Sequence, residues 1–151
     1  MRIVIASDHG GYALKEVLKP FLVELGHEPI DVGTHSQAAV DYPDFAFLAA
    51  AKVAQGEVDL GIVIDGAGVG SSIVANKLPG VRAALCNCLF TAKNSRAHND
   101  ANVLSLGSGV VGTALAKDIV KTWLATTFEP RHLARIEKIV KLEGQLYGAG
   151  R

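Results

Sequence analysis

The densest chemistry in the sequence is Asp65-Gly66-Ala67-Gly68-Val69-Gly70-Ser71-Ser72. Three alternating glycines let another group approach the backbone closely, and their N–H groups can converge on an anion. The same stretch also reads as a tight strand-to-helix turn. A phosphate-binding P-loop is excluded, because no Gly-Lys-Ser/Thr follows. A dinucleotide site is disfavoured, because the spacing is G-x-G-x-G and not G-x-G-x-x-G. Asp65 has two open readings. It caps the helix that follows, or it is a carboxylate placed beside amides to move a proton.

Two further polar clusters stand out. Asp8-His9, before Gly10-Gly11, ends an apolar run and could hold a polar ligand or simply cap a loop. Ser95-Arg96-Ala97-His98-Asn99-Asp100 is either a solvated loop or the setting for His98 as a general acid near neutral pH. Arg131 and Arg135 are four apart and share a helix face. Two guanidiniums so placed suit a phosphate, and surface charge is the plainer alternative. His27 and His35 carry no assigned role.

These residues need a scaffold. Five short apolar runs, at Arg2–Ala6, Pro29–Val32, Leu60–Ile64, Val81–Cys86 and Val103–Leu106, read as buried parallel strands. Helices are expected between them, with Leu14, Val17, Leu18, Phe21, Leu22 and Leu25 on one face of the first. Pro20 lies inside that pattern, so a kink or break is expected there. Further helices are expected near Asp44–Gln55, Gly70–Lys77, Leu89–His98, Val111–Thr126 and Arg131–Leu146, with a frayed tail from Gly148. Repeated strand–helix alternation implies an α/β three-layer sandwich, a five-stranded parallel sheet with helices on both faces. Ligands then bind at the carboxyl ends of the strands. The last helix has no strand after it and is expected to cover a neighbouring subunit.

Composition narrows the classes. The 151 residues fit one domain, 1–151. Apolar residues make up 49 %, and fifteen Lys+Arg balance fifteen Asp+Glu. A neutral chain offers no field for nucleic acid or an anionic membrane, so a small substrate is expected. The longest apolar stretch, Phe45–Ala51, is too short to span a bilayer, and no signal-peptide core is evident. Cys86 and Cys88 are expected to be buried thiols in a reducing cytoplasm.

Taken together, the motifs resemble the ribose-5-phosphate isomerase B family, which includes the galactose-6-phosphate isomerase subunits. The matching segments are Ser7-Asp8-His9-Gly10-Gly11, Asp41-Tyr42-Pro43, Gly66-Ala67-Gly68-Val69-Gly70-Ser71, Ala75-Asn76-Lys77, Ser95-Arg96, His98-Asn99-Asp100 and Leu106-Gly107-Ser108. The resemblance runs in order over about residues 2–140. It implies a Rossmann-like fold and an aldose–ketose isomerase of a phosphorylated sugar, needing no metal or nucleotide. It also implies a homodimer or dimer of dimers with the C-terminal helix at the interface and sites shared across it. By the same resemblance, His98 is the ring-opening acid with Asp8 nearby, the Gly66–Gly70 amides stabilise the oxyanion, and Gly66, Ala67, Gly68, Gly70 and Ser71 line the substrate site. Asn99 holds sugar hydroxyls, Tyr42 lines the pocket, and His9, Arg131 and Arg135 bind the phosphate.

The sequence departs from that pattern where the base should be. Many members carry cysteine at the position of Asp65, and others carry glutamate at the position of Ser71. Asp65 is therefore expected to be the base. Many members also have threonine where Ala67 stands and a phosphate-binding arginine where Gly109 stands. Ribose 5-phosphate is the expected substrate by default, with a tetrose or hexose phosphate as the alternative. A sugar-phosphate-binding partner subunit without catalysis is the reading from another class, and a small nucleotide-binding Rossmann domain is a third.

Overall fold

The computed structural model describes residues 1–148. The order is β1 (Arg2–Ser7), α1 (Tyr12–Glu24), β2 (Glu28–Asp31), α2 (Tyr42–Ala54), β3 (Leu60–Asp65), α3 (Val69–Ala75), β4 (Ala83–Leu85), α4 (Leu89–Ala97), β5 (Val103–Gly107), α5 (Thr113–Ala125), a 3-10 turn (Pro130–His132) and α6 (Leu133–Tyr147). The strands form one all-parallel sheet in the order β2-β1-β3-β5-β4.

Both faces of the sheet are covered, which is why its strands read as apolar runs and not as alternations. Side chains nevertheless alternate between two cores. Ile3, Ile5, Ile62, Ile64, Leu104 and Leu106 pack with Leu18, Leu22, Ile119 and Trp123 on one side. Val4, Ala6, Val63 and Val103 pack with Ala46, Ala49, Ala50 and Val53 on the other. The alanines of α2 bring that helix close to the sheet, and with it Tyr42 at its first turn.

Two local expectations are corrected. α1 runs through Pro20 without the expected break. Pro20 is exposed, so the Glu16 carbonyl that loses its amide partner faces the solvent side, where water serves it. Cys86 is buried as expected, but Cys88 is exposed at the start of α4, and both are free thiols. Helix ends otherwise differ from expectation by a residue or two, and α2 begins at Tyr42 because Pro43 suits a first turn. The expected fraying beyond Gly148 lies outside the described residues. Among those residues, no helix is long and apolar enough to cross a membrane.

A buried ion cluster steadies the edge of the site. The Lys15 side chain is fully buried, with Nζ 2.6 Å from Asp31 Oδ2 and 3.1 Å from Glu16 Oε1. Lys19 reaches the same two carboxylates at 2.8 and 2.7 Å. Asp31 Oδ1 accepts the Gly33 N–H at 2.9 Å, and the Gly33 carbonyl accepts the Ser7 N–H at 2.8 Å at the end of β1. Burial pushes the Asp31 carboxyl up, but Lys15, Lys19 and the Gly33 amide outweigh it and hold it at about 2, against 3.8 when unperturbed. A depressed carboxylate stabilises the fold above its unfolded pKa, and that stability is lost as pH falls through the folded value. We expect a loss of about 2 kcal/mol between pH 3.8 and about pH 2, largely abolished in Asp31→Asn. Chemical denaturation at stepped pH checks this, and an equal acid loss in the variant would contradict it.

Candidate active site

Chain order reverses between β1 and β3. Proceeding from β1, one branch leads outward to β2 and the other to β3, β5 and β4. Such a switch point opens a crevice beyond the carboxyl ends of the two strands. Asp8 follows β1 and Asp65 ends β3, so both carboxylates stand at this crevice.

Asp65 is 5 % exposed. Its Oδ1 accepts the N–H groups of Ala67, at 2.9 Å, and of Gly68. Its Oδ2 accepts the Ser71 N–H at 2.8 Å. The carboxylate thus occupies part of the amide nest that the sequence offers to an anion. The expectation that the Ala67 and Gly68 amides are free for an oxyanion is corrected, since Asp65 takes both. The amides of Gly66, Val69 and Gly70 have no protein acceptor among the described residues. They flank the amides that the carboxylate takes.

The neighbouring loops close around this turn. Asp8 Oδ1 accepts the Gly11 N–H at 3.0 Å, which fixes the turn leading into α1. Ser108 Oγ donates to the Gly10 carbonyl at 2.7 Å, and its N–H donates to the Asp65 carbonyl at 2.9 Å. Gly109 N–H donates to the Gly66 carbonyl at 2.9 Å. A Cβ on residue 109 would lie 3.0 Å from that oxygen, so a side chain there requires the carbonyl to give by a few tenths of an ångström. The Tyr42 ring lies against Gly70, where an added Cβ would come within 2.5 Å of it. Tyr42 is 39 % exposed and forms a wall of the crevice. His9 is exposed, with Nδ1 3.0 Å from the Val40 carbonyl oxygen.

The remaining candidates gather elsewhere. His98 caps the C-terminal end of α4, which has returned the chain to the opposite edge of the sheet. Arg82, just before β4, fixes this turn by donating Nε to the Asn99 carbonyl at 3.2 Å and to the Asp100 carbonyl at 2.9 Å. The Glu129 N–H donates to the Ala97 carbonyl at 2.8 Å, bringing the segment with Arg131 and Arg135 alongside. His98, Asn99, Arg131 and Arg135 are therefore together, but the length of β5, about 13 Å, separates them from Asp8 and Asp65.

This second cluster includes two residues that carry no role on sequence grounds. His132 is 5 % exposed, and its ring lies 4.1 Å from that of His98. Glu129 Oε2 lies 3.7 Å from His132 Nε2 and 4.0 Å from His98 Nε2. The three-residue spacing of Glu129 and His132 across Pro130 is the one signal that could have found them, since a turn places such residues side by side.

Residues 3–139 match the Ribose/Galactose Isomerase family. The chain belongs to this family. Ribose-5-phosphate isomerase B of Escherichia coli is 50 % identical over 143 residues, covering 94 % of this chain and 96 % of that protein. Ribose-5-phosphate isomerase B of Clostridium thermocellum has a solved structure with a TM-score of 0.94 at 53 % identity, over 97 % of this chain and 99 % of that one. The family member from Mycoplasma genitalium, solved with bound ribulose-5-phosphate, superposes with a TM-score of 0.91 at 44 % identity, over 95 % and 97 % of the two chains. The five-stranded parallel fold is thus the family fold.

Proposed function

We propose that this family member isomerises a phosphorylated aldose to its ketose without a cofactor, interconverting ribose 5-phosphate and ribulose 5-phosphate. The observation that carries this reading is a buried carboxylate, Asp65, set among open amides at the switch point of the sheet. Isomerisation needs a base that takes a proton from C2 and returns it at C1. It also needs donors for the enediolate oxygen. The Gly66 and Gly70 amides supply the donors, each worth about 3–4 kcal/mol when well placed. Asp65 supplies the base, the role a glutamate plays in triosephosphate isomerase.

The closed sugar must first open. The Asn94 Nδ2 amide lies 3.0 Å from His98 Nδ1 and donates to it, which leaves the His98 hydrogen on Nε2. Nε2–H then faces the ring oxygen, to which the ring gives a proton from its imidazolium form, and Asp8 assists at the hydroxyl. Asn99 orients the sugar hydroxyls, Tyr42 walls the pocket, and His9, Arg131 and Arg135 take the phosphate. Asp65 and His98 stand on opposite edges of one chain, so a complete site draws one edge from each of two copies. α6 supports this arrangement. Only Ile136 of it is buried, and Leu133, Val140, Leu142 and Leu146 are exposed.

A specific observation favours a second reading. The three amide bonds to Asp65 are also those of a helix-capping carboxylate, which suits a sugar-phosphate-binding subunit that lacks catalysis. One experiment separates the two. The protein is mixed in deuterated water with four-, five- and six-carbon aldose and ketose phosphates, and the C1 and C2 protons are followed by NMR. We expect interconversion of the five-carbon pair. Silence across the panel, with the sugar phosphates still raising the melting temperature, would establish the binding subunit instead.

A further inference from the structure

His132 is placed as a neutral imidazole under the control of two arginines. Arg135 Nη1 lies 2.6 Å from His132 Nδ1. A guanidinium only donates, so Nδ1 accepts, and the ring hydrogen sits on Nε2. That Nε2 is buried with no hydrogen-bond partner, 3.7 Å from Glu129 Oε2. Glu129 is meanwhile held by Arg131, whose Nε donates to Oε2 at 2.7 Å.

The ligand atoms of His98, Glu129 and His132 all lie within 4.8 Å of one another, which could suggest a metal site. The Arg135 bond keeps hydrogen on the nitrogen that would face the ion, and two guanidiniums repel it. The arrangement suits a proton better than a cation.

We propose that substrate phosphate, by drawing Arg131 and Arg135 to itself, releases Glu129 and His132 and so loads one proton onto them beside His98. This deepens the proposed function and rests on its assignment of the phosphate to Arg131 and Arg135. The phosphate dianion takes the guanidiniums. His132 Nδ1 loses its donor and accepts a proton from solvent, and Glu129 becomes the counter-ion of the resulting imidazolium. No bond other than this N–H forms. Burial first, then the charges of His98, Arg131 and Arg135, hold His132 below the usual histidine range, with Glu129 opposing them. Arg131 likewise holds Glu129 below the usual carboxylate range. These are the charged groups that face His132 from α4, the 3-10 turn and α6. His132 and Glu129 are positioning residues. They set the charge next to the ring-opening acid only when a phosphate is bound.

Sulfate tests this, because it is a dianion that does not itself titrate near neutrality. Its binding to the whole protein is measured calorimetrically at about pH 6.5, where an ordinary histidine is half charged, in buffers of different ionisation enthalpy. We expect uptake approaching one proton per bound sulfate. Uptake should vanish in His132→Gln and fall in Glu129→Gln, a second variant should the first fail to fold. The His132 ring-proton resonance should also move towards its charged position on sulfate addition. Binding without proton uptake, or uptake unchanged in both variants, would overturn the inference. Sulfate binding unaffected by Arg135→Ala would instead overturn the phosphate assignment beneath it, and the inference with it.

Discussion

Asp65→Asn is expected to lower the isomerisation rate by roughly 10²–10⁴-fold, the usual contribution of a positioned general base. The substitution keeps the shape of the side chain. Its oxygen still accepts from Ala67 and Gly68, whereas its new N–H₂ faces the Ser71 N–H that Asp65 Oδ2 accepts at 2.8 Å. Donor against donor costs about 1–3 kcal/mol, so the variant melts lower but stays folded. Steady-state rates well below its melting temperature separate the two effects. A less stable variant that turns over at the parental rate would make Asp65 a cap and nothing more.

The second large effect is structural. Gly68 has φ +77, and a Cβ there would lie 2.5 Å from Leu85 Cδ1, 2.8 Å from the Leu106 carbonyl carbon and 2.9 Å from the Gly107 nitrogen. Two of those neighbours are backbone of β5 and cannot rotate away. Gly68→Ala therefore combines left-handed strain of about 1–2 kcal/mol with overpacking of about 1–3 kcal/mol. In a domain of this size that is a fall in melting temperature of roughly 5–20 °C. Gly26 offers the control. Its φ is +82 and nothing lies within 4 Å of its added Cβ, so Gly26→Ala shows the strain alone. Equal losses at the two positions would contradict the packing argument. The Gly68 variant should also lose activity, because the Gly68 N–H holds Asp65 and its carbonyl accepts the Ser105 hydroxyl at 2.6 Å.

Much of this was legible in the residues. Ile3 to Ala6 and Leu60 to Ile64 show buried parallel strands by composition alone, and the strand-end rule led directly to Asp8 and Asp65. Pro20 misled, because the cost of a helix proline depends on which way the freed carbonyl faces, and a one-dimensional pattern does not show that. Cys88 misled because thiol burial is a statistical habit, and a residue at the start of a helix can point outward whatever its type. The occupancy of the glycine loop was legible only as one of two readings of Asp65. Three glycines announce an amide nest and Asp65 reads as its cap, but only the fold shows which amides the carboxylate takes. Least visible in the residue types was that His98 and Asp65 stand at opposite ends of the strands. His98 follows a helix whereas Asp65 ends a strand, and because a crossover helix runs back along the strands, those positions fall at opposite ends of the sheet. Nothing in the residue types of the two groups tells them apart, and it is the topology that separates them.

That separation supplies the decisive measurement. Asp65→Asn and His98→Asn are prepared separately, each inactive, then mixed, unfolded and refolded together. If two copies complete each site, half of the dimers are mixed and each of those holds one intact site, so about one quarter of parental activity should return. No recovery in the mixture, with both variants folded and dimeric, would show that Asp65 and His98 do not act in one site built from two chains.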